Sequence, residues 1–434
     1  MFVKICVFFV SMFAALMTMF NPVVDVAPMQ VEADPDFTPV VRFVVSSDSH
    51  VKKFNDKGCQ RIMKMINTGY AAAEADENYN KLDAAIMVGD ITDFGLPWSF
   101  FSIRAAVENV LKDETDFLAV AAKNHDSYLG RISRAYVSGI SEDKADFHKV
   151  INGYHFIGLS PAANIFVHYS DKQIKWLDKQ LSEAVAEDPS KPVFVFQHEH
   201  IYNTVYGSLP EDGWGVEFLT ETLNKYPQVV DISGHSHYPA NDPRAIWQGS
   251  FTAMNDGGLN YYEFTIDGSN SQHPESSDNM AHMLLVEVDA ANRVKVRVCD
   301  LNAEKVLTEY MIDNVADPVK TKYSPAARKA AATAPIFSND VKTEVNDKNV
   351  NVTFAPATPG RDDVVFIYRM KVLDENGETV ASQRKLGDYY KTLEPNDISF
   401  SFNVENAGVY QIVLTAEDAW GLACKPYETT VNVK

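Results

Sequence analysis

Near position 235 the chain reads VVDISGHSHYP, placing His235 and His237 two residues apart at the end of an apolar run. In extended backbone, side chains at i and i+2 point to one face, so imidazoles at this spacing can serve one centre. An isolated pair of this kind is commonly two loop histidines. Four other segments change that reading, because each closes an apolar, β-like run on a carboxylate, amide or imidazole donor. Asp48-Ser49-His50 follows VVRFVVSS, and Gly89-Asp90-Ile91-Thr92-Asp93 follows AAIMV. Lys123-Asn124-His125-Asp126 follows FLAVAA, and His198 follows PVFVFQ. Five of the eleven histidines fall in these five segments. Mixed nitrogen and oxygen donors favour Zn, Mn or Fe and argue against copper electron transfer or calcium.

Donors so far apart in the chain can meet only if a sheet gathers them. From Val40 to about Leu307, short β-rich runs alternate with helical segments. The runs are apolar on both faces, as strands are when helices cover each side of a sheet. In open α/β sheets, sites form beyond the carboxyl ends of the strands, where all five donor segments lie. One intervening helix is well marked. Ser170 and Gln173 form a capping-box pattern, after which Ile174, Leu177, Leu181 and Val185 share a face. From Ala281 to Met311 the pattern changes to consecutive strands, MLLVEV, RVKVRV and KVLTEYM, so an α/β sandwich with an antiparallel flank is expected.

The ordered set Asp48-x-His50, Gly89-Asp90-x-x-Asp93, Asn124-His125-Asp126, His198 and Gly234-His235-x-His237 resembles the calcineurin-like metallophosphoesterase superfamily, over about Pro39 to Gly258. The resemblance implies an α/β fold whose metallophosphoesterase-type β-sandwich core is flanked by helices. It implies two divalent or trivalent transition-metal ions, Mn, Fe or Zn. One would be held by Asp48, His50, Asp90 and His237, the other by Asp90, Asn124, His198 and His235, with Asp90 bridging. His125 would contact the phosphate and protonate the leaving group, with Asp126 orienting it. Two close cations need a shared anionic oxygen, and they lower the pKa of a bridging water toward about 7. The implied reaction is attack of metal-bound hydroxide on the phosphorus of a phosphomonoester or phosphodiester. Two departures stand out. Lys123 takes the place of a usual glycine, and Asp93 the place of the tyrosine ligand of purple acid phosphatases, which argues against their iron chromophore. Glu199, His200 and Tyr202 are candidate lining groups or loop packing, and Asn255-Asp256-Gly257-Gly258 reads as a turn more than a substrate loop. Position 202 is tyrosine, which breaks HExxH, and Tyr238 breaks GxSxG.

The chain has 434 residues, 46% hydrophobic and 23% charged, enough for two domains. A formal net charge of −20 without a basic run excludes long nucleic acid as a partner and leaves a small phosphate ester. The almost wholly apolar run of 16 residues from Ile5 to Phe20 suits a secretory leader over residues 1–33, cut after Ala33, better than a membrane span. Secretion is expected, and an uncleaved leader would instead tie the protein to the cell envelope. Cys59, Cys299 and Cys424, three in number and far apart, give neither a disulfide framework nor a CxxC metal site. The expected organisation is a catalytic domain over residues 37–316, a Pro/Ala/Lys-rich linker over 317–335 and an all-β fibronectin type III or Ig-like sandwich over 336–434. Tyr410 occupies a tyrosine-corner position in the last of these. The rival from another class is a secreted binding protein that keeps the scaffold without turnover.

Overall fold

The computed structural model describes all residues except 1, 21, 129, 130, 142, 163–167, 318–321, 338, 339, 362 and 392–395. Its contacts divide the chain into two compact units. One comprises Met1–Asn241 with Ala245–Pro325, the other Asp242–Arg244 with Ala326–Lys434.

The first unit is built on two six-stranded sheets. In one, Pro39–Ser46, Ala84–Val88 and Asp116–Val120 run parallel. The expected antiparallel flank, His282–Asp289, Val294–Asp300 and Lys305–Ile312, joins it alongside the Pro39 strand. In the other, Tyr154–Gly158, Val193–Phe196, Val229–Ser233 and Thr252–Asn255 run parallel, edged by the antiparallel Phe147–Ile151 and Ile246–Gln248. Period-two alternation decides which side chains go where. Val41, Phe43 and Val45 enter a core shared with Phe156, Phe194, Phe196, Val230 and Ile232 of the opposite sheet. Phe43 meets Phe194 edge to face at 4.9 Å. Val44 points the other way, into a layer with Ile62, Met63 and Ile66 of the Lys57–Glu74 helix and Phe100 and Ile103 of the Pro97–Val110 helix. Both sheet faces are therefore dry, and strands buried on both faces carry no polar alternation.

Helix Asp171–Glu187 covers the second sheet. Ser170 caps it in a reciprocal capping box with Gln173, and Leu177 and Leu181 lie in the apolar layer beneath. The carboxyl ends of the Pro39, Ala84, Asp116, Val193 and Val229 strands thus carry the five donor segments.

Part of the N-terminal segment packs against the first unit. Helix Phe2–Phe20 buries Val10, and a side chain at Gly139 would meet that valine at 2.5 Å. Met29 and Val31 enter the layer that holds Ile62 and Ile66. The Met29 amide donates to Thr68 Oγ1 at 3.0 Å, and the Glu32 carbonyl accepts from Arg297 Nη1 at 2.6 Å. Burying a Met and a Val side chain is worth roughly 1.5 to 3 kcal/mol each. A chain beginning at Asp34 is expected to unfold at a lower urea midpoint than one beginning at Val24, and identical midpoints would show the segment to be loosely attached. Among the described residues no helix is long and apolar enough to cross a membrane.

Among the described residues the second unit has seven strands, all paired antiparallel. Val341–Asn346, Asn349–Phe354 and Ile398–Asn403 form one sheet, and Thr379–Leu386, Val365–Leu373, Gly408–Asp418 and Tyr427–Val433 the other. Val350, Val352, Phe400 and Phe402 of the first share a core with Met370, Val372, Ile412 and Leu414 of the second. The Tyr410 hydroxyl donates to the Asn406 carbonyl at 2.8 Å, the back-bond that defines a tyrosine corner. Within the expected linker, Pro325–Ala331 is a short helix, and residues 318–321 lie outside the described residues.

Candidate metal centre

Beyond the strand ends the backbone continues to pair. The Asp48 amide donates to the Gly89 carbonyl and the His50 amide to the Asp90 carbonyl, each at 3.0 Å, so the first two donor loops run side by side. The Gly234 amide donates to the His198 carbonyl at 3.0 Å and joins the last two in the same way. The turns are sharp. Asp48, His50, Asp90, His235 and His237 all have positive φ, between 45° and 69°. Non-glycine residues pay about 1 kcal/mol or more for that region, and such residues concentrate at functional sites. Gly89 has φ of 85°, and a Cβ there would stand 2.6 Å from the His198 ring. A Cβ at Gly234 would stand 1.9 Å from Ser47 Oγ and 2.6 Å from Asp48 Oδ2. Both glycines let the loops close on the donors.

The donors converge into three overlapping groups, each with ligand atoms within 4.8 Å of one another: Asp48, His50 and His237; His50, Asp90 and His125; and Asp90, His198 and His235. Asp48 Oδ1 lies 3.2 Å from His237 Nε2, 3.8 Å from His50 Nε2 and 3.9 Å from His198 Nε2. His50 Nε2 and His237 Nε2 face each other at 3.2 Å. His198 Nε2 lies 3.2 Å from Asp90 Oδ2 yet makes no hydrogen bond. Other buried atoms here also lack hydrogen-bond partners: Asp48 Oδ1, Asp90 Oδ1, Asn124 Oδ1 and His235 Nδ1. Buried polar atoms are rarely left so, and a cluster of them aimed into one space fits a cation. Asn124, the one expected ligand outside the three His/Asp groups, leaves that carbonyl oxygen buried without a partner.

The rings are held by the protein. His198 Nδ1 donates to the Val88 carbonyl at 2.8 Å, His237 Nδ1 to the Tyr261 carbonyl at 3.1 Å and His125 Nδ1 to the Asp93 carbonyl at 2.7 Å. A carbonyl can only accept, so in each ring Nδ1 carries the proton and Nε2 turns inward. Outer hydrogen bonds of this kind orient metal-binding histidines.

Burial opposes charge on every group here. It pushes His235 down to about 3 and His237 to about 4, against the pull of the nearby carboxylates. It works against ionised Asp48 too, but His237, His198 and His50 override it and hold that carboxyl well below the usual range. At His50 burial is again outweighed, by Asp48 and Asp93, and the pKa rises to about 9. Two fully buried carboxylates at this density demand cations nearby.

Several residues take other places than expected. Asp126 does not orient His125. Its fully buried carboxylate accepts from the Thr92 amide at 2.8 Å, Thr92 Oγ1 at 2.9 Å and the Ala122 amide at 3.0 Å, fixing the Asp90 loop from behind. The Asp93 carbonyl orients His125 instead, because Asp126 points into the backbone amides. The Asp93 side chain lies 3.4 Å from His50 Nδ1. His200 lies between Ser233 Oγ and Ser236 Oγ at 2.8 Å each, a satisfied core histidine pushed by burial to about 3. Glu199 is buried, with Oε1 3.6 Å from His168 Nε2, and Tyr202 is exposed. Lys123 Nζ meets His168 Nδ1 at 3.1 Å. Sequence reasoning missed Ser47 and the role of Asp256. Ser47 Oγ bridges Asp48 Oδ2 and Asp256 Oδ1, the latter at 2.6 Å, while the His235 amide donates to Asp48 Oδ2 at 3.0 Å. Gly257 and Gly258, with φ of 86° and 107°, make the turn behind Asp48. The only signal for this support was the polarity of a serine closing an apolar run.

No protein-family model matches the chain, and no curated protein matches it. Among solved structures it is similar to a purple acid phosphatase from yellow lupin (Lupinus luteus) seeds, at 13% identity over 64% of this chain and 55% of that one, TM-score 0.40. Two other similarities are a family 76 glycoside hydrolase from a bovine Bacteroides thetaiotaomicron strain (18% identity, 23% of this chain and 20% of that one, TM-score 0.18) and a β-glucuronidase from Ruminococcus gnavus (20%, 24% and 15%, TM-score 0.15). The chain spans less than two thirds of the length of each.

Proposed function

We propose that this protein is a metal-dependent phosphoric ester hydrolase of the calcineurin-like metallophosphoesterase type, acting on a small phosphate ester outside the cytoplasm. The observation that carries the reading is the convergence of Asp48, His50, Asp90, His198, His235 and His237, with buried donor atoms that no protein group satisfies. Asp48, His50 and His237 would hold one transition-metal ion, and His198, His235 and Asn124 a second, with Asp90 between them. When bound, such a pair supplies Lewis acidity toward phosphoryl oxygens and lowers the pKa of a coordinated water toward about 7.

The chain's own residues do the rest. Ser47 and the His235 amide pin one oxygen of Asp48 and leave Oδ1 facing inward. The Val88 and Tyr261 carbonyls hold the Nε2 lone pairs of His198 and His237 toward the centre. His125, with its Nδ1 proton fixed on the Asp93 carbonyl, presents Nε2, and a proton there passes to the departing ester oxygen. The seven-stranded second unit is, in this reading, an Ig or fibronectin type III-like spacer or docking module.

Purified protein is expected to contain about two transition-metal ions per chain and to hydrolyse at least one ester in a phosphomonoester and phosphodiester panel supplemented with Mn, Zn or Fe. Two ions without turnover of any ester would favour a binding protein. One ion or none would overturn the dinuclear centre.

A further inference from the structure

Beside His125 the surface carries two aromatic rings that packing does not explain. Phe94 is 54% exposed and Tyr128 64% exposed. Isolated exposed aromatics are ordinary on a protein surface. These two are neighbours, with ring centroids 6.5 Å apart and planes inclined by only 30°. Through Tyr128 the pair also reaches the metal-binding groups. The Tyr128 ring lies 6.4 Å from the His125 ring, and His125 belongs to the group with His50 and Asp90.

Their placement is fixed by the loops that place His125. Phe94 follows Asp93, whose carbonyl orients the His125 ring. The next residue, Gly95, has φ of 61° and donates its amide to Thr92 Oγ1 at 2.9 Å, the hydroxyl that also donates to Asp126. A side chain at Gly95 would stand 2.7 Å from the Asp126 carbonyl, so the turn that presents Phe94 is tight. Tyr128 sits on the other loop, three residues after His125, beyond Ser127, whose amide bonds to the Asn124 carbonyl at 3.2 Å. The Tyr128 ring thus stands beside His125, and Phe94 beside Tyr128.

We infer that Phe94 and Tyr128 form a stacking ledge for the base of a nucleoside carried as the alcohol half of the ester, so the substrate class is a nucleoside phosphate. This deepens the hydrolase reading and rests on it. His125 serves the leaving side, which puts the ledge against the alcohol and not against the transferred phosphoryl group. An aryl ring bonded directly to the ester oxygen would lie at His125 itself. The ledge begins one ring further out, the reach that a pentose between phosphate and base supplies. Flat, weakly polar faces bind bases by stacking with little regard for which base it is, so broad tolerance among bases follows.

The comparison that tests it is a nucleoside 5′-monophosphate against ribose 5-phosphate, which share the ester and the sugar and differ only in the base. The metal-loaded full chain is expected to favour the nucleotide in kcat/KM by at least about tenfold, the order that stacking on an aromatic side chain provides. Phe94→Leu and Tyr128→Leu, which keep apolar bulk and remove the flat face, are expected to bring the ratio toward one. Phe94→Trp should hold it. A wild-type ratio near one, or a ratio unmoved by both leucine variants, overturns the ledge. A marked preference for phenyl phosphate over both sugar phosphates overturns the nucleoside in favour of a simple aryl ester. If the unaltered chain turns over no ester, the hydrolase reading fails separately. Calorimetric titration with the same nucleotide and ribose 5-phosphate then decides the ledge, and equal affinities overturn it.

Discussion

Replacing His125 by alanine is expected to lower kcat/KM by about 10² to 10⁴ on esters of poorly acidic alcohols while leaving metal content unchanged. The size follows from the role. General acid assistance matters most where the departing alkoxide is a strong base, so the loss should shrink on a nitrophenyl ester, whose leaving group needs no proton. The geometry admits a competing role. The His125 ring donor lies within 4.8 Å of those of His50 and Asp90, close enough for a ligand. Its Nδ1 is committed to the Asp93 carbonyl, so Nε2 is the atom in question. As a ligand it would offer a lone pair there, and as an acid a proton. The two roles part in the measurements. Loss of an acid spares the metals and discriminates between leaving groups; loss of a ligand depletes metal and slows every ester alike. Equal losses on both ester types with metal retained would leave His125 a phosphate-binding group and remove it as the acid.

The same residue shows how far the sequence reaches into the site. The donor positions were legible because each follows an apolar run, and the carboxyl ends of strands are where an α/β sheet delivers side chains to one place. The partners that aim those donors were not. Asp126 stands next to His125 in the chain, which suggested a pair, yet its carboxylate turns to the amides of Thr92 and Ala122. Adjacent side chains in a tight turn diverge, and no periodicity describes a turn. The contact between Ser47 and Asp256 spans 209 positions, and its distance from any local pattern hides it. His200 failed as a lining group for a related reason. Its two serine partners come from the Val229 strand and the HxH turn, and both had to be placed before the imidazole could be recognised as satisfied. The seating of Met29 and Val31 was hidden by composition, since an apolar N-terminus reads as a leader whether or not part of it packs. The two sheets and the capped helix before His198 were legible for the opposite reason, since periodicity and capping are local.

The largest effect expected on stability lies away from the metal donors, at Asp231. It sits within VVDIS, fully buried in the centre of the Val229–Ser233 strand, and appears in the sequence as one acid inside an apolar run. Its surroundings give it little. Gln197 Nε2 reaches Oδ2 at 3.4 Å, and Oδ1 has no hydrogen-bond partner. Burial therefore pushes its pKa up to about 8, with the Gln197 hydrogen bond pulling slightly the other way. The sign follows from linkage. An aspartate in the unfolded chain releases its proton near pH 4, while the folded chain keeps the proton until about pH 8. Between those values the folded state binds one more proton than the unfolded state. Stability from this group is thus fully present below pH 4 and declines as pH rises, by about 1.4 kcal/mol per pH unit, until the folded carboxyl also ionises. Asp231→Asn keeps the shape and removes the titration. The variant should match the parent in urea near pH 4.5 and exceed it by roughly 3 kcal/mol near pH 7, with the gap opening steadily between. Other groups titrate in both proteins and cancel in the difference. Parallel stability curves across that range would mean that water reaches Asp231 and that it ionises as an exposed carboxyl does. A variant weaker than the parent at every pH would mean instead that the protonated acid donates a hydrogen bond that the amide cannot replace.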